Sequence, residues 1–194
     1  MSMTLFEALE VLAAHRGDRI VVTAMSAVEL WPQISDTPLD FNYLPSTMGQ
    51  APALGLGLSL SQPERGVIVV NGDGCLLMNL GCLVTIASHP TNLYLIIVDN
   101  GHYEATGGQP TAGSGRIDFP GLASAAGISR VYSFGDQESW GQGVEQALRG
   151  DGPVFISLKV EPVFGRKTPK PPRPMAEQID RLKQALAVSR DSDL

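Results

Sequence analysis

Short runs of unbroken apolar residues recur along the chain, separated by stretches in which apolar positions return every three or four residues. "GVIVV" (66–70) and "NLYLIIVDN" (92–100) show no apolar–polar alternation, the pattern of parallel strands buried on both faces. "DRIVVTAM" (18–25), "RVYSF" (130–134) and "GPVFISLKV" (152–160) are read as further strands. Helices are predicted over 4–15, 75–89, 118–127 and 136–150, with Asp118 as an N-cap, Pro120 in the first turn after it and Gly150 as a stop. "SAVELWPQ" (26–33) predicts a short helix capped by Ser26. "MGQAPALGLGLSLS" (48–61) predicts a tightly packed helix despite its glycines, because small side chains let backbones approach closely. Residues 35–47 read as turns, and 105–115 as a loop too rich in glycine for regular structure.

Strands alternating with helices predict one α/β domain over residues 1–160, a parallel sheet with helices on both faces. Residues 161–174, "EPVFGRKTPKPPRP", hold five prolines and four basic residues and read as a stiff connector. Residues 175–194 form a last helix and tail. Met175, Ile179, Leu182 and Leu186 lie at helical spacing, on a face suited equally to a partner chain or to this chain's own domain.

At 194 residues the chain has the length of one domain. Its net charge of −6 argues against nucleic acid as a partner, and means that an anionic ligand needs a cation or a helix N-terminus to settle. No apolar run reaches membrane-spanning length, and the N-terminal stretch carries Glu7 and Glu10 within an amphipathic pattern, unlike a leader. Cys75 and Cys82 fall on one predicted helix, seven positions apart. That is ~10 Å, too far for a disulfide. Two cysteines are too few for a zinc finger or a Cys-ligated cluster, and a reducing, cytoplasmic location is expected.

The chemistry concentrates in residues 71–110. Gly72-Asp73-Gly74 stands between a predicted strand and a predicted helix, where open parallel sheets bind ligands. Its glycines permit positive φ and close approach of a ligand, and the helix after it aims N–H groups, from about Cys75 and Leu76, at an anion. Asp99-Asn100 ends the next strand and arrives at the same rim. A carboxylate, an amide oxygen, a backbone carbonyl and phosphate oxygens form an all-oxygen shell suited to Mg²⁺. Gly-Asp-Gly alone is a common turn. The specific feature is its pairing with Asn100, 27 positions on, through one crossover helix and one strand.

That pairing resembles the thiamine-diphosphate-binding motif of 2-oxoacid decarboxylases and their relatives, with Asp99-Asn100 in place of Asn-Asn. "GDGCLLMNLG" and "DNGHYEATGGQPT" are most similar to the β subunit of sulfopyruvate decarboxylases and the C-terminal half of phosphonopyruvate decarboxylases, over about residues 17–160. The resemblance implies a thiamine-diphosphate-binding fold and cofactors thiamine diphosphate and Mg²⁺. It implies Mg²⁺ on Asp73, Asn100 and the backbone carbonyl of His102, with Gly72, Gly74, Cys75, Tyr103 and Glu104 around the diphosphate. "PSTMGQAPALGLG" resembles the segment under the aminopyrimidine: the Ser46 carbonyl would accept its amine, and Met48 would bend the cofactor. Read on its own, Met48 serves equally as a core methionine at a helix start.

The same resemblance exposes what is missing. The Glu that activates the cofactor belongs, in the family, to a separate pyrimidine-binding domain, and Glu7, Glu10 and Glu29 read instead as solvated helix faces. A hetero-oligomer is therefore expected, with an α subunit supplying that domain. Thr106 occupies the place where pyruvate decarboxylases carry a catalytic Glu. His102 and Glu104 are the candidate catalytic side chains in this chain, whereas His15 and His89 read as helix-surface residues. The loop 105–115 is suited to closing over the site and meeting a second acidic group of the substrate, with Arg116 the nearest cation. The expected activity is non-oxidative decarboxylation of a small acidic 2-oxoacid to an aldehyde. The alternatives are a carboligase or 2-oxoacid oxidoreductase subunit on the same cofactor, or a non-catalytic regulatory subunit. A dinucleotide fold is disfavoured because "GLGLSL" follows no strand and lacks its third glycine.

Overall fold

The structure, a computed structural model, describes residues 2–46, 48–165 and 170–191. In chain order the helices are α1 (Leu5–His15), α2 (Ala27–Leu30), α3 (Ala51–Ser61), α4 (Asp73–Leu77), α5 (Cys82–Ala87), α6 (Phe119–Ala125), α7 (Gln137–Leu148) and α8 (Met175–Asp191). The strands are β1 (Ile20–Thr23), β2 (Asp40–Asn42), β3 (Val67–Gly72), β4 (Leu93–Asp99), β5 (His102–Tyr103), β6 (Gln109–Pro110), β7 (Arg130–Phe134) and β8 (Val154–Lys159). Six strands form one sheet in the order β2-β1-β3-β4-β8-β7, every pair parallel. Side chains alternate across it: Ile68 and Val70 join the core under α1 and α7, Val67 and Val69 the core on the opposite face, with residues of α3, α5 and α6. The expected α/β fold with helices on both faces is the observed one.

Strand order sets the position of the site. From β1 the chain moves outward to β2, then returns to place β3 on the other side of β1 and β4 beyond it. Chain segments leaving neighbouring strands β1 and β3 therefore part in opposite directions, which opens a crevice at their C-terminal ends. The β3–β4 register pairs Gly72 with Val98, so Asp73 and Asp99 leave the sheet at the same level.

The helix predicted over 75–89 is two helices. α4 begins at Asp73 and ends after one turn, and Cys82 opens α5. Between them the backbone tightens to i→i+3 bonds, Met78 to Cys75 and Asn79 to Leu76, while the Asn79 side chain donates to the Gly49 carbonyl at 3.0 Å. Asn79 thus trades helix continuation for a tie to the segment before α3. Cys75 and Cys82 consequently lie on different helices, both buried and unbonded to each other. Edge strand β2 lies in the stretch read as turns, too short for a periodic signal. The predicted Ser26 cap forms no capping bond. Hairpin β5–β6 takes up part of the segment predicted to lack regular structure, its glycines at 107 and 108 supplying the positive φ of its turn.

α8 packs on its own domain. Leu182 is buried in the core beside α3, and the Gln178 side chain accepts the outward N–H of Asn42 in β2 at 2.8 Å. Arg173 grips Asp36 through two hydrogen bonds of 2.7 Å, with Arg181 behind it, and these hold the Asp36 carboxyl down to about 2.

Close packing decides the fate of Gly55 in α3, where a Cβ would sit 2.1 Å from Val69 Cγ2 of β3. Alanine there would gain about 1 kcal/mol of helix propensity but lose about 1–3 kcal/mol to overpacking. Gly55→Ala is therefore expected to lower the urea midpoint, whereas Gly57→Ala, which meets nothing within 4 Å, is expected to raise it. Equilibrium unfolding of the two variants checks both signs.

Candidate functional site

A cavity of about 270 Å³ fills the crevice at the ends of β1, β3 and β4. Three segments wall it: Ala24–Ala27 after β1, Asn71–Cys75 at and beyond the end of β3, and Asn100 with His102–Thr106 after β4. Leu5, Met48, Met78 and Val98 complete a lining that is mostly apolar. Met25 turns the first wall. Among the described residues it is the one non-glycine with positive φ, 52°, a conformation that costs free energy and clusters at functional sites.

Asp73 is the hub. It is 2% exposed. Its Oδ1 accepts the Gly74 N–H at 2.8 Å, and its Oδ2 accepts the Gly101 N–H at 2.9 Å and the Thr111 hydroxyl at 3.3 Å. The bond to Gly101 crosses from the end of β3 to the loop after β4, so Asp73 and the Asp99-Asn100 turn meet as the spacing predicts. Burial pushes the Asp73 carboxyl up to about 6, with the charge of Asp99 adding to the effect and the three donors opposing it. Burial raises Asp99 as well, against the pull of Lys159. A carboxylate so placed gains most from an arriving cation.

The other predicted residues fall as follows. Asn100 lines the cavity, and its Oδ1 accepts the His102 N–H at 2.9 Å. His102 Nδ1 lies 2.8 Å from the Asn100 carbonyl, so Nδ1 carries the proton, and its ring meets Phe164 edge-on at 5.1 Å. Gly72 has φ −84°, and Gly74 is not among the positive-φ glycines, so neither uses the left-handed freedom anticipated for it. Their value is space: a Cβ on Gly74 would strike the Tyr103 ring at 2.4 Å, and one on Gly72 would project into open volume. Cys75 lines the cavity, its thiol pushed up by burial. Met48 lines it too, 37% exposed. Ser46 does not; its hydroxyl is buried without a partner among the described residues. Arg116 is also outside the lining. His15 bonds the Val11 carbonyl of its own helix, and His89, just past the end of α5, bonds the Thr85 carbonyl. Glu7 closes a capping box with Thr4, and Glu10 and Glu29 are exposed.

Glu104 is buried with both carboxylate oxygens engaged. Oε2 accepts the Ser26 hydroxyl at 2.6 Å, and Oε1 accepts the Val163 N–H at 2.7 Å. It thus ties the β1 wall to the connector that carries Phe164 over Gly108 and His102. Its side chain is a clasp across the rim. Ser26, Asn71 and Thr111 are site residues that sequence reading missed. Ser26 reads in the sequence as a helix cap, and neither Asn71 nor Thr111 carries a motif of its own.

The residues present fit a divalent cation with a diphosphate. No three His, Cys, Asp or Glu side chains cluster for a metal among the described residues. One buried carboxylate and one amide instead form a partial oxygen shell that a ligand's own phosphate oxygens would complete. Both polar atoms of Asn71 are buried in the same cavity without a partner among the described residues, and Gly72 leaves open the volume its side chain would have filled.

The comparisons agree with this geometry. Residues 23–158 match the family model described as thiamine pyrophosphate enzyme, C-terminal TPP binding domain. The chain is 41% identical to the sulfopyruvate decarboxylase subunit beta of Methanothermobacter thermautotrophicus over 84% of each chain. It is 43% identical to the phosphonopyruvate decarboxylase of Streptomyces hygroscopicus over 62% of this chain, spanning only 30% of that longer protein. In fold it resembles an X-ray structure from Mycobacterium smegmatis, of a protein proposed to be a thiamin diphosphate-dependent enzyme. The TM-score is 0.71 at 22% identity, over 84% of this chain and 32% of the other.

Two measurements test this site without ligand. Because the fold holds Asp73 protonated up to about pH 6, against an ordinary value of 3.8, its neutral form adds stability at pH 4 that is lost as pH rises through 6, on the order of 2–3 kcal/mol. In EDTA, the stability of the parent chain minus that of Asp73→Asn should therefore fall between pH 4 and pH 7; a flat difference refutes the assignment. Glu104→Ala should speed hydrogen exchange at the Val163 amide by about tenfold or more, since a hydrogen bond to a charged group contributes about 1.5–3 kcal/mol.

Proposed function

This chain belongs to the thiamine pyrophosphate enzyme family, as its C-terminal TPP-binding domain, and we propose that it is the diphosphate-binding subunit of a decarboxylase. The substrate is a small acidic 2-oxoacid of the sulfopyruvate or phosphonopyruvate type, and the product is an aldehyde. The observation that carries this reading is Asp73, a buried carboxylate with a raised pKa, fastened by the Gly101 N–H beside Asn100 at the rim of two parallel strands. Support for the substrate class comes from the identity to relatives that bear those two names.

In this reading residues 1–160 form the cofactor domain, 161–174 the connector and 175–194 the terminal helix and tail; 166–169 and 192–194 lie outside the described residues. Asp73, the Asn100 side chain and the His102 carbonyl would hold Mg²⁺. Gly72, Gly74, Cys75, Tyr103 and Glu104 would surround the diphosphate, Met48 would lie against the cofactor's rings, and the Ser46 backbone carbonyl would accept from the pyrimidine amine. When bound, thiamine diphosphate supplies a carbon nucleophile for the 2-oxoacid carbonyl and an electron sink as CO₂ departs. The chain's own residues orient and shield. Leu5, Ala24, Met25 and Val98 form dry walls, which strengthen every charge interaction within. Glu104 holds the rim closed, and the protonated Nδ1 of His102 keeps that ring fixed to the Asn100 carbonyl.

The activating Glu and a proton donor come from a separate α subunit carrying the pyrimidine-binding domain. The subunit-beta name of the relative that this chain matches over 84% of its length supports that arrangement. CO₂ release from sulfopyruvate and phosphonopyruvate, with Mg²⁺ and thiamine diphosphate, tests the whole reading. The complex with its α subunit should release CO₂ from one of these acids, and this chain alone should not. A full rate from the chain alone refutes the two-subunit arrangement, and no release from either acid by the complex refutes the substrate class. Asp73→Ala should weaken retention of thiamine diphosphate at least 100-fold; unchanged retention refutes the metal assignment.

A further inference from the structure

Asn71 stands at the end of β3, two residues before Asp73, with 1% of its surface exposed. Four other buried side-chain atoms lack a hydrogen-bond partner among the described residues, and none of their residues lines the cavity. Asn71 does, and it leaves both ends of its amide, Oδ1 and Nδ2, unmatched. Exchanging the two ends of the amide changes nothing, because neither position has a partner among the described residues. Burying a donor and an acceptor without partners costs stability and calls for a specific explanation.

The surroundings narrow that explanation. Opposite Asn71 the cavity is walled by Ala24, Met25 and Ser26, brought there by the positive φ of Met25 and by the bond from the Ala24 N–H to the Val70 carbonyl. Ser26 is committed to Glu104. On the near side, the Asp73 carboxylate accepts the Gly74 and Gly101 N–H groups. A neutral donor is therefore the group that helps an anion enter a cavity already holding a carboxylate. An aspartate here would add a second negative charge.

We infer that Asn71 is a positioning residue for the phosphate end of the ligand, its Nδ2 donating to a diphosphate oxygen beside the cation held by Asp73. Oδ1 accepts from water that enters with the ligand. This inference rests on the reading of the cavity as a thiamine diphosphate site. It adds a side-chain donor on β3 to the residues proposed to surround the diphosphate.

The test uses the full chain with Mg²⁺ and two probes, thiamine diphosphate and inorganic diphosphate, titrated by calorimetry. Asn71→Asp should bind both at least 30-fold more weakly. Asn71→Leu, close in volume, should bind both about tenfold more weakly while its ligand-free melting temperature stays at or above the parent's, since it removes two unmatched polar atoms. That pairing of stability kept and affinity lost is what a purely structural amide would not produce. If both variants bind within twofold of the parent, Asn71 is served by trapped water alone and the inference is overturned. If the parent itself binds neither probe, the reading of the cavity falls and takes this inference with it; that failure shows in the parent, not in the variants.

Discussion

One hydrogen bond organises the molecule's chemistry: the Gly101 N–H donating to the buried carboxylate of Asp73. It joins the ends of β3 and β4, adjacent strands whose register already sets residues 73 and 99 level. Everything polar in the cavity is arranged around it. Thr111 reaches the same oxygen from the Gly-rich segment, and its N–H closes on the Gly101 carbonyl at 2.8 Å, so that segment is anchored and not a free flap. A carboxylate held this way is expensive for the folded chain, because burial opposes its charge and Asp99 stands nearby. The expense is consistent with a group kept for a cation rather than for stability.

Two further ties shape the rim. Glu104 spans from Ser26 to Val163 and so couples the wall after β1 to the connector beyond β8. Phe164 in that connector lies against His102 and over Gly108. The rim is thus assembled from four separated parts of the chain, although the metal-side chemistry comes from two.

Legibility followed physical range. Unbroken apolar runs revealed β3 and β4, because burial on both faces leaves no alternation to misread. Asp73 and Asn100 were visible because a crossover of nearly fixed length brings one strand end beside the next. Asp118 as an N-cap was equally local, and it does accept the Gly121 N–H at 2.9 Å. What stayed hidden depends on tertiary contact. β2 is anchored where Asp40 pairs with Arg16, a buried ion pair to the residue that caps α1. The break after α4 follows from Asn79 bonding to Gly49. Ser26, a plausible cap by type, is claimed by Glu104, 78 positions away. Gly74 is glycine because of the Tyr103 ring and not because of its own φ.

The treatment of β2 limits how this molecule can assemble. Its partner on one side is β1; on the other, the Asp40 N–H is bound to Thr37 and the Asn42 N–H to Gln178 of α8. An edge whose outward donors are both spoken for cannot template another strand. Sheets of two copies could not fuse into one ribbon along this border. Any association made here would have to run through side chains of α8 and the loops around it, and it would be a junction of surfaces, not a continuation of the weave.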